Sequence, residues 1–323
     1  MRVFAVYAAV VALWGTTPLA IKWSGEGPGF LFGVISRMAI GTLCVLPLLG
    51  LLRVGLPLHR KALLSYVAGA LQIFGAMLAV YWAAQYLPSG WISVIYGLSP
   101  LLTALMAAVW LGERSLTAPR LLAYGLGVGG LAAMYGSALE FGPLAALGVG
   151  GVLLSAVLQA ASAIWIKRVD AKVPALAQLG GALLVAMPAY LLTWVAFDAE
   201  WPARIAETSL WSILYLGVVA TGLGFVLYFY LLQRLSPTRV ALITLVSPVI
   251  ALVLGNQING EPIPERVGFG TALILGALLL HEWRGPRLAL IRRDRGVSRP
   301  GPASTRRGRR PAAPPEETTS EGS

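Results

Sequence analysis

Apolar runs of about twenty residues follow one another along this chain with short polar gaps between them. Each is long enough to cross a ~30 Å hydrocarbon layer as a helix. They cover Val3–Lys22, Gly29–Leu52, Ala62–Gln85, Gly90–Leu111, Pro119–Ala138, Pro143–Ile166, Pro174–Ala196, Leu210–Leu232, Arg239–Ile258 and Glu265–Glu282. A tight Leu87-Pro88-Ser89-Gly90 joint links the third run to the fourth, and the longest gap carries Asp198, Glu200, Arg204 and Glu207. The first run follows Arg2, as a secretion signal would. It exceeds the ~7–15 apolar residues of such a signal, lacks a small-x-small cleavage site and ends in Lys22, so it reads as the first helix. The pattern predicts an all-α integral membrane protein with ten transmembrane helices.

The pattern also repeats. One offset of 148 residues (233 − 85) joins Gln85 to Gln233, Leu87 to Leu235, Ser99-Pro100 to Ser247-Pro248 and Gly112-Glu113 to Gly260-Glu261. Helices of similar composition share Leu and Ala by chance; they do not share a Gln, a Ser-Pro and a Gly-Glu in one register. The chain therefore divides into a five-helix repeat over residues 3–138, a second over 143–283, and a tail over 284–323. The tail is basic and rich in Pro and Gly, then acidic, and reads as disordered. Five is odd, so the second copy enters the membrane upside down. Two inverted five-helix repeats place a substrate site near the midplane where they meet.

Composition agrees with a membrane protein: only 12% of the 323 residues are charged, against about 25% in soluble domains. The net charge of +11 matters through its placement. Ten of the 25 Lys and Arg lie between Arg284 and Arg310, and the others divide eleven to four between the two sides. The richer side is cytoplasmic by the positive-inside rule. Both termini are expected there, in a multi-pass protein of the inner membrane. The basic tail then lies near anionic lipid head groups. No folded nucleic-acid reader accompanies it, so no nucleic-acid partner is expected. The single cysteine, Cys44, excludes an intramolecular disulfide, and His59 and His281 sit far apart in the chain, so no metal set and no cofactor are expected. A monomer is the simplest assembly.

The ordered set of Leu13-Trp14-Gly15, Lys22, Arg37, the two Ser-Pro pairs and the two Gly-Glu pairs resembles the drug/metabolite transporter superfamily, specifically its EamA-type ten-helix exporters. The resemblance runs over roughly residues 3 to 283. It departs in the second half, which has no counterpart of Trp14-Gly15 and crowds Asn256, Gln257 and Asn259 at the end of the ninth helix. It implies export of small metabolites, often amino acids or their relatives, from the cytoplasm.

The candidate chemistry lies on helix faces. The fourth helix carries Ser93, Tyr96, Ser99-Pro100 and Thr103, and the sixth carries Ser155, Gln159, Ser162 and Trp165, all at spacings of three to four. Small hydroxyl residues serve helix packing, but Gln159 and Tyr96 are too large for that and lie near mid-helix. With Trp14, Gln72, Tyr228 and Ser247 they make a candidate substrate-binding set of Trp14, Gln72, Tyr96, Ser99, Gln159, Ser162, Tyr228 and Ser247. Pro100 and Pro248 remove backbone hydrogen bonds within their helices and free carbonyls there.

Two cations need explaining. A cation at depth costs on the order of 2.5–3.5 kcal/mol on insertion scales. Arg37 either binds carbonyls and locks the fold, the reading favoured by its position, or contacts a substrate carboxylate. Lys22 lies near the interface and can snorkel. Gly125-Leu126-Gly127-Val128-Gly129-Gly130 follows no strand, so it reads as a packing face through Gly125 and Gly129 rather than a dinucleotide loop. All fourteen Asp and Glu fall in predicted loops, helix ends or the tail. An intramembrane enzyme would need a base at depth to activate Ser93 or Ser155, and a proton pump would need a carboxylate there. The sequence therefore points to a non-enzymatic secondary transporter of neutral or zwitterionic solutes, weakly coupled or uncoupled. Multidrug efflux is the near alternative, and a membrane scaffold the distant one.

Overall fold

Lipid offers the backbone no hydrogen-bonding partner, so a segment that crosses it must satisfy every N–H and C=O internally, and a helix does so. The computed structural model describes residues 2–112, 118–197, 200–245 and 247–282. Its helices are α1 Arg2–Gly25, α2 Phe30–Leu51, α3 Arg60–Ala84, α4 Ser89–Trp110, α5 Ala118–Phe141, α6 Pro143–Val169, α7 Ala175–Phe197, α8 Glu207–Arg234, α9 Pro237–Asn259 and α10 Glu265–Glu282. Among the described residues there is no strand, and nine helices, α1 to α9, are long and apolar enough to cross a membrane. Leu51 (80%) and Phe197 (84%) stand exposed on the outside while Trp91, Tyr81 and Tyr190 are fully buried. The tail from residue 284, Glu113 of the first Gly-Glu pair and Asp198 lie outside the described residues.

Helix ends move where charge favours it. α8 begins at Glu207 rather than Leu210, with an acid in the positive first turn of the helix and the Glu207 Oε1 accepting from Trp211 Nε1 at 3.2 Å. α6 runs on to Val169, with Lys167 and Arg168 in its negative last turn.

Four irregularities shape the interior. α3 is π-helical over Leu71–Ala76 and α8 over Tyr215–Gly224. The 148-residue offset carries the first of these onto 219–224 of the second (71 + 148 and 76 + 148). Side chains take up carbonyls of the α3 stretch: Tyr190 donates to Ile73 O at 2.6 Å and Ser155 to Ala76 O. α4 is interrupted at Gly97-Leu98, just before Ser99-Pro100, and α9 tightens to a 3-10 turn over Leu242–Leu245 before Ser247-Pro248. Each proline lacks the N–H that would bond the carbonyl four residues back, that of Tyr96 or Thr244.

α10 packs on α5 through glycine. A Cβ on Gly130 would lie 2.7 Å from Gly270 O, and one on Gly270 2.8 Å from Gly130 O. Gly125 has nothing within 4 Å, and Gly129 meets only Leu273 at 3.9 Å. The close approach to α10 is thus made at Gly130, while Gly127 faces Leu98 and Leu101 of α4, and neither belongs to the pair expected from the sequence.

Candidate functional site

Seven helices, α1, α2, α3, α4, α6, α8 and α9, converge on a cavity of about 60 Å³. α1 contributes Trp14, Thr17, Pro18 and Ile21, one face of a helix at spacings of three and four. Trp14 stacks on Tyr228 with ring centroids 5.3 Å apart, so Tyr228 backs the wall without lining it. α4 presents Ile92, Ser93 and Tyr96 one turn apart. The Tyr96 hydroxyl pairs with Ser155, whose own hydroxyl is committed to Ala76 O. That relay joins the wall of the cavity to the π-helical stretch of α3. Gln72 and Gln159 add amides, and Ser247 adds a hydroxyl whose proton goes to Ile243 O at 3.0 Å.

Arg37 sits in this wall, 2% exposed. Its Nε donates to Thr221 Oγ1 at 2.9 Å, its guanidinium lies 5.9 Å from the centre of the Tyr81 ring, and its Nη1 has no hydrogen-bond partner. The expectation that carbonyls anchor it is not met: its hydrogen bond is to a side chain. The approach depends on glycine. A Cβ on Gly41 would lie 2.5 Å from Thr221 Cγ2, and one on Gly217 2.6 Å from Ile40 Cγ2, so α2 and the π-helical stretch of α8 meet almost backbone to backbone.

A second cluster begins at Lys22, next in the chain to the cavity residue Ile21. Lys22, at the end of α1, donates to Leu87 O at 3.1 Å and lies 3.9 Å from Glu261 Oε1. The Glu261 carboxylate also accepts from Ser89 Oγ at 2.8 Å, Gly90 N at 3.3 Å and Asn259 Nδ2 at 2.9 Å. Trp23 Nε1 donates to Asn259 Oδ1 at 3.1 Å, and Asn256 Nδ2 to Glu261 O at 2.9 Å. Asn259 therefore ties the end of α9 to α1 and to Glu261, and Glu261 ties the α9–α10 loop to α4. Two sequence readings change here. Lys22 does not snorkel outward but turns to the turn between α3 and α4. Glu261 falls in a loop, as expected, yet is only 6% exposed, because four donors from three elements fold the loop inward. The sequence reading of uncoupled transport rests on the lack of a carboxylate at depth, and Glu261 is a buried carboxylate that lies in the α9–α10 loop rather than within a helix.

The opposite end carries a matching contact. Lys167, at the end of α6, donates to Leu232 O at 2.9 Å and to Leu235 O at 3.0 Å. Leu235 is the repeat partner of Leu87. Tyr7 donates to Arg239 O near the start of α1 and Lys22 to Leu87 O near its end. Those positions are 15 residues apart (22 − 7), about 22 Å of helix, so the 87–89 and 235–239 turns lie at opposite ends of α1. Beside Lys167 a more polar cavity of about 250 Å³ is lined by Ser65, Gln178 and Gln233 among others.

Of the residues singled out from sequence, Trp14, Gln72, Tyr96, Gln159, Ser247 and Arg37 line the central cavity together. Tyr228 stands behind Trp14. Ser99 is buried beside the α4 interruption with its hydroxyl unpartnered and is not in the lining. Ser162 donates to Ala68 O at 2.6 Å and serves packing between α6 and α3. Thr17, Ile21, Met77, Val80, Ile92, Phe225 and Thr244 were not anticipated. The spacing of Trp14, Thr17, Pro18 and Ile21 is the one signal that would have found some of them. Among the described residues no group of three metal-ligating side chains occurs.

The EamA-like transporter family model matches residues 3–136 and 146–281. A Bacillus subtilis protein named as an uncharacterized transporter, YvbV, is 27% identical over 293 residues, covering 86% of this chain and 91% of its own. A probable terminal-alkyne amino-acid exporter of Streptantibioticus cattleyicolor is 27% identical over 317 residues, covering 92% and 98%. A solved crystal structure superposes with a TM-score of 0.65 over 87% of this chain and 98% of its own; at 22% identity it is a likeness of fold alone.

Proposed function

The chain belongs to the EamA-like transporter family, and from that premise we propose that it exports small neutral or zwitterionic metabolites, amino acids or their relatives, by alternating access. The observation that carries this reading is the central cavity. Its wall is aromatic and apolar, with a few hydrogen-bonding groups, a lining suited to a small and partly apolar solute. At about 60 Å³ it is far below the ~300–1,000 Å³ of ordinary ligand pockets, so entry requires one end to open. The relative from Streptantibioticus cattleyicolor, a probable amino-acid exporter, supports the substrate class.

In this reading α10 is the tenth crossing, residues 3–138 and 143–283 are inverted repeats, and both termini face the cytoplasm of an inner-membrane monomer. The recurrence of one contact supports the inversion: a lysine near the end of α1 or α6 bonds the carbonyl of Leu87 or its repeat partner Leu235, at opposite ends of the bundle. The cavity beside Lys167 is then the cytoplasmic approach. Arg37 weighs against lipophilic cations, and so against cationic multidrug efflux, because like charges repel strongly where water is scarce.

Counterflow in proteoliposomes tests the function. Apolar amino acids should exchange saturably and lipophilic cations should not; exchange of cations with no response to amino acids would overturn the reading. Tyr96→Ala and Gln159→Ala should each slow exchange about tenfold or more, as loss of one productive contact does, with folded yield unchanged. Normal exchange by both variants would remove them from the site.

A further inference from the structure

We propose that Arg37 and Gln72 form the carboxylate-recognising pole of the cavity, and that the transported solute presents one carboxylate there on a mostly apolar body. This rests on the cavity being the transport site. The carrying observation is unmet bonding capacity. Arg37 is 2% exposed and Gln72 1%. The Nη1 of Arg37 and both amide atoms of Gln72 have no hydrogen-bond partner, and both side chains line the same small cavity. Among the described residues, no Asp or Glu forms an ion pair with Arg37.

A buried cation without an anion is strongly unfavourable, and a buried amide with neither donor nor acceptor used is nearly as unusual. Other buried side chains, Ser99 among them, also leave a polar atom unpartnered, but Arg37 and Gln72 carry a charge and a whole amide and both line the cavity. The Arg37 Nε is fixed on Thr221, which orients the rest of the planar fork. A guanidinium so held matches the two oxygens of a carboxylate better than it matches a point charge. Gln72 completes the pole in both directions: Nε2 can donate to a carboxylate oxygen, and Oε1 can accept from an ammonium on the neighbouring carbon. An α-amino acid offers both groups on adjacent atoms.

The rest of the lining sets the class further. A phosphate ester carries more charge than one arginine can balance, and among the described residues no second cation lines the cavity. Trp14, Ile21, Val80, Ile92 and Phe225 surround the remaining space with apolar surface. The solute that fits is a monocarboxylate with an apolar side chain and an α-amino group.

The test compares ligands that differ only at the carboxylate. In proteoliposomes of the full chain, labelled leucine counterflow is competed by unlabelled leucine, leucine methyl ester and isoamylamine. The ester and the amine should compete about tenfold or more weakly than leucine, the loss expected when charge-assisted hydrogen bonds go unmade. Arg37→Gln should abolish that preference, and Arg37→Lys should keep part of it. A methyl ester that competes as well as the acid on the unsubstituted protein overturns the proposal, and that comparison stands even if the variants fail to fold.

A binding measurement separates this proposal from the exporter reading. Isocaproate should raise the melting temperature of the purified protein, and isocaproamide should not. Acid-specific stabilisation without leucine counterflow would keep the pole and sink amino-acid export. Leucine counterflow with equal response to acid and amide would keep export and sink the pole.

Discussion

Glu261→Ala is expected to destabilise the protein by about 3 kcal/mol, the lower end of the ~3–5 kcal/mol that breaking a buried ion pair costs. The lower end applies because Lys22 keeps its bond to Leu87 O and its side chain is 23% exposed. The loss falls on three elements at once. Ser89 Oγ and the Gly90 N–H lose their buried acceptor, Lys22 loses its counter-ion, and Asn259 is released from one of its bonds. α1, α4 and the α9–α10 loop are then free to part, which opens the end of the cavity away from Lys167. The melting temperature in detergent should fall by several degrees, and thiol probes applied from the Glu261 end should reach cysteines introduced at cavity positions faster. An unchanged melting temperature together with unchanged access would show that this cluster holds nothing closed.

Gly217→Leu is expected to abolish transport by a different route. A Cβ at Gly217 would come 2.6 Å from Ile40 Cγ2 and 3.1 Å from Arg37 O. Backbone cannot yield as a flexible side-chain tip does, so α2 and α8 must separate. Overpacking of this kind costs about 1–3 kcal/mol for a few extra methylenes, and leucine adds more than that. Separation also draws Thr221 away from Arg37 and breaks the hydrogen bond that orients the guanidinium. The expected result is a sharp loss of monodisperse protein and of counterflow in whatever protein remains. Gly136→Ala serves as control, since nothing lies within 4 Å of a Cβ there. Normal transport by Gly217→Leu would mean that the close contact of α2 with α8 is dispensable.

What the sequence discloses and what it hides follow from the range of the forces involved. Helices are legible because lipid imposes length and apolarity on each run separately, and the repeat is legible because Ser-Pro and Gly-Glu keep their register. Tyr96, Gln159 and Gln72 are legible because a bulky polar side chain within an apolar run needs a reason. Thr17, Pro18 and Ile21 are not, since an apolar residue facing a cavity looks the same as one facing lipid until its neighbours are known. Ser155 and Ser162 keep one rhythm along α6, yet Ser155 joins Tyr96 at the cavity while Ser162 is used up on Ala68 O. Glu261 is the sharpest case. Its place in a loop is a local property, but its burial is decided by Lys22, 239 residues earlier (261 − 22), and by a turn from the other repeat. The glycine face of α5 shows the same limit, because spacing defines a stripe but only α10 selects which stripe is used.

Alternating access requires that one cavity be reached from both sides of the membrane in turn. Ser93 lines it, and Cys44 is the chain's single cysteine. A Ser93→Cys variant in a Cys44→Ala background can therefore be probed with a membrane-impermeant maleimide in right-side-out and in inside-out vesicles. Labelling is expected from both sides, slowed in each case by leucine. Labelling from one side only, with leucine counterflow intact, would contradict it.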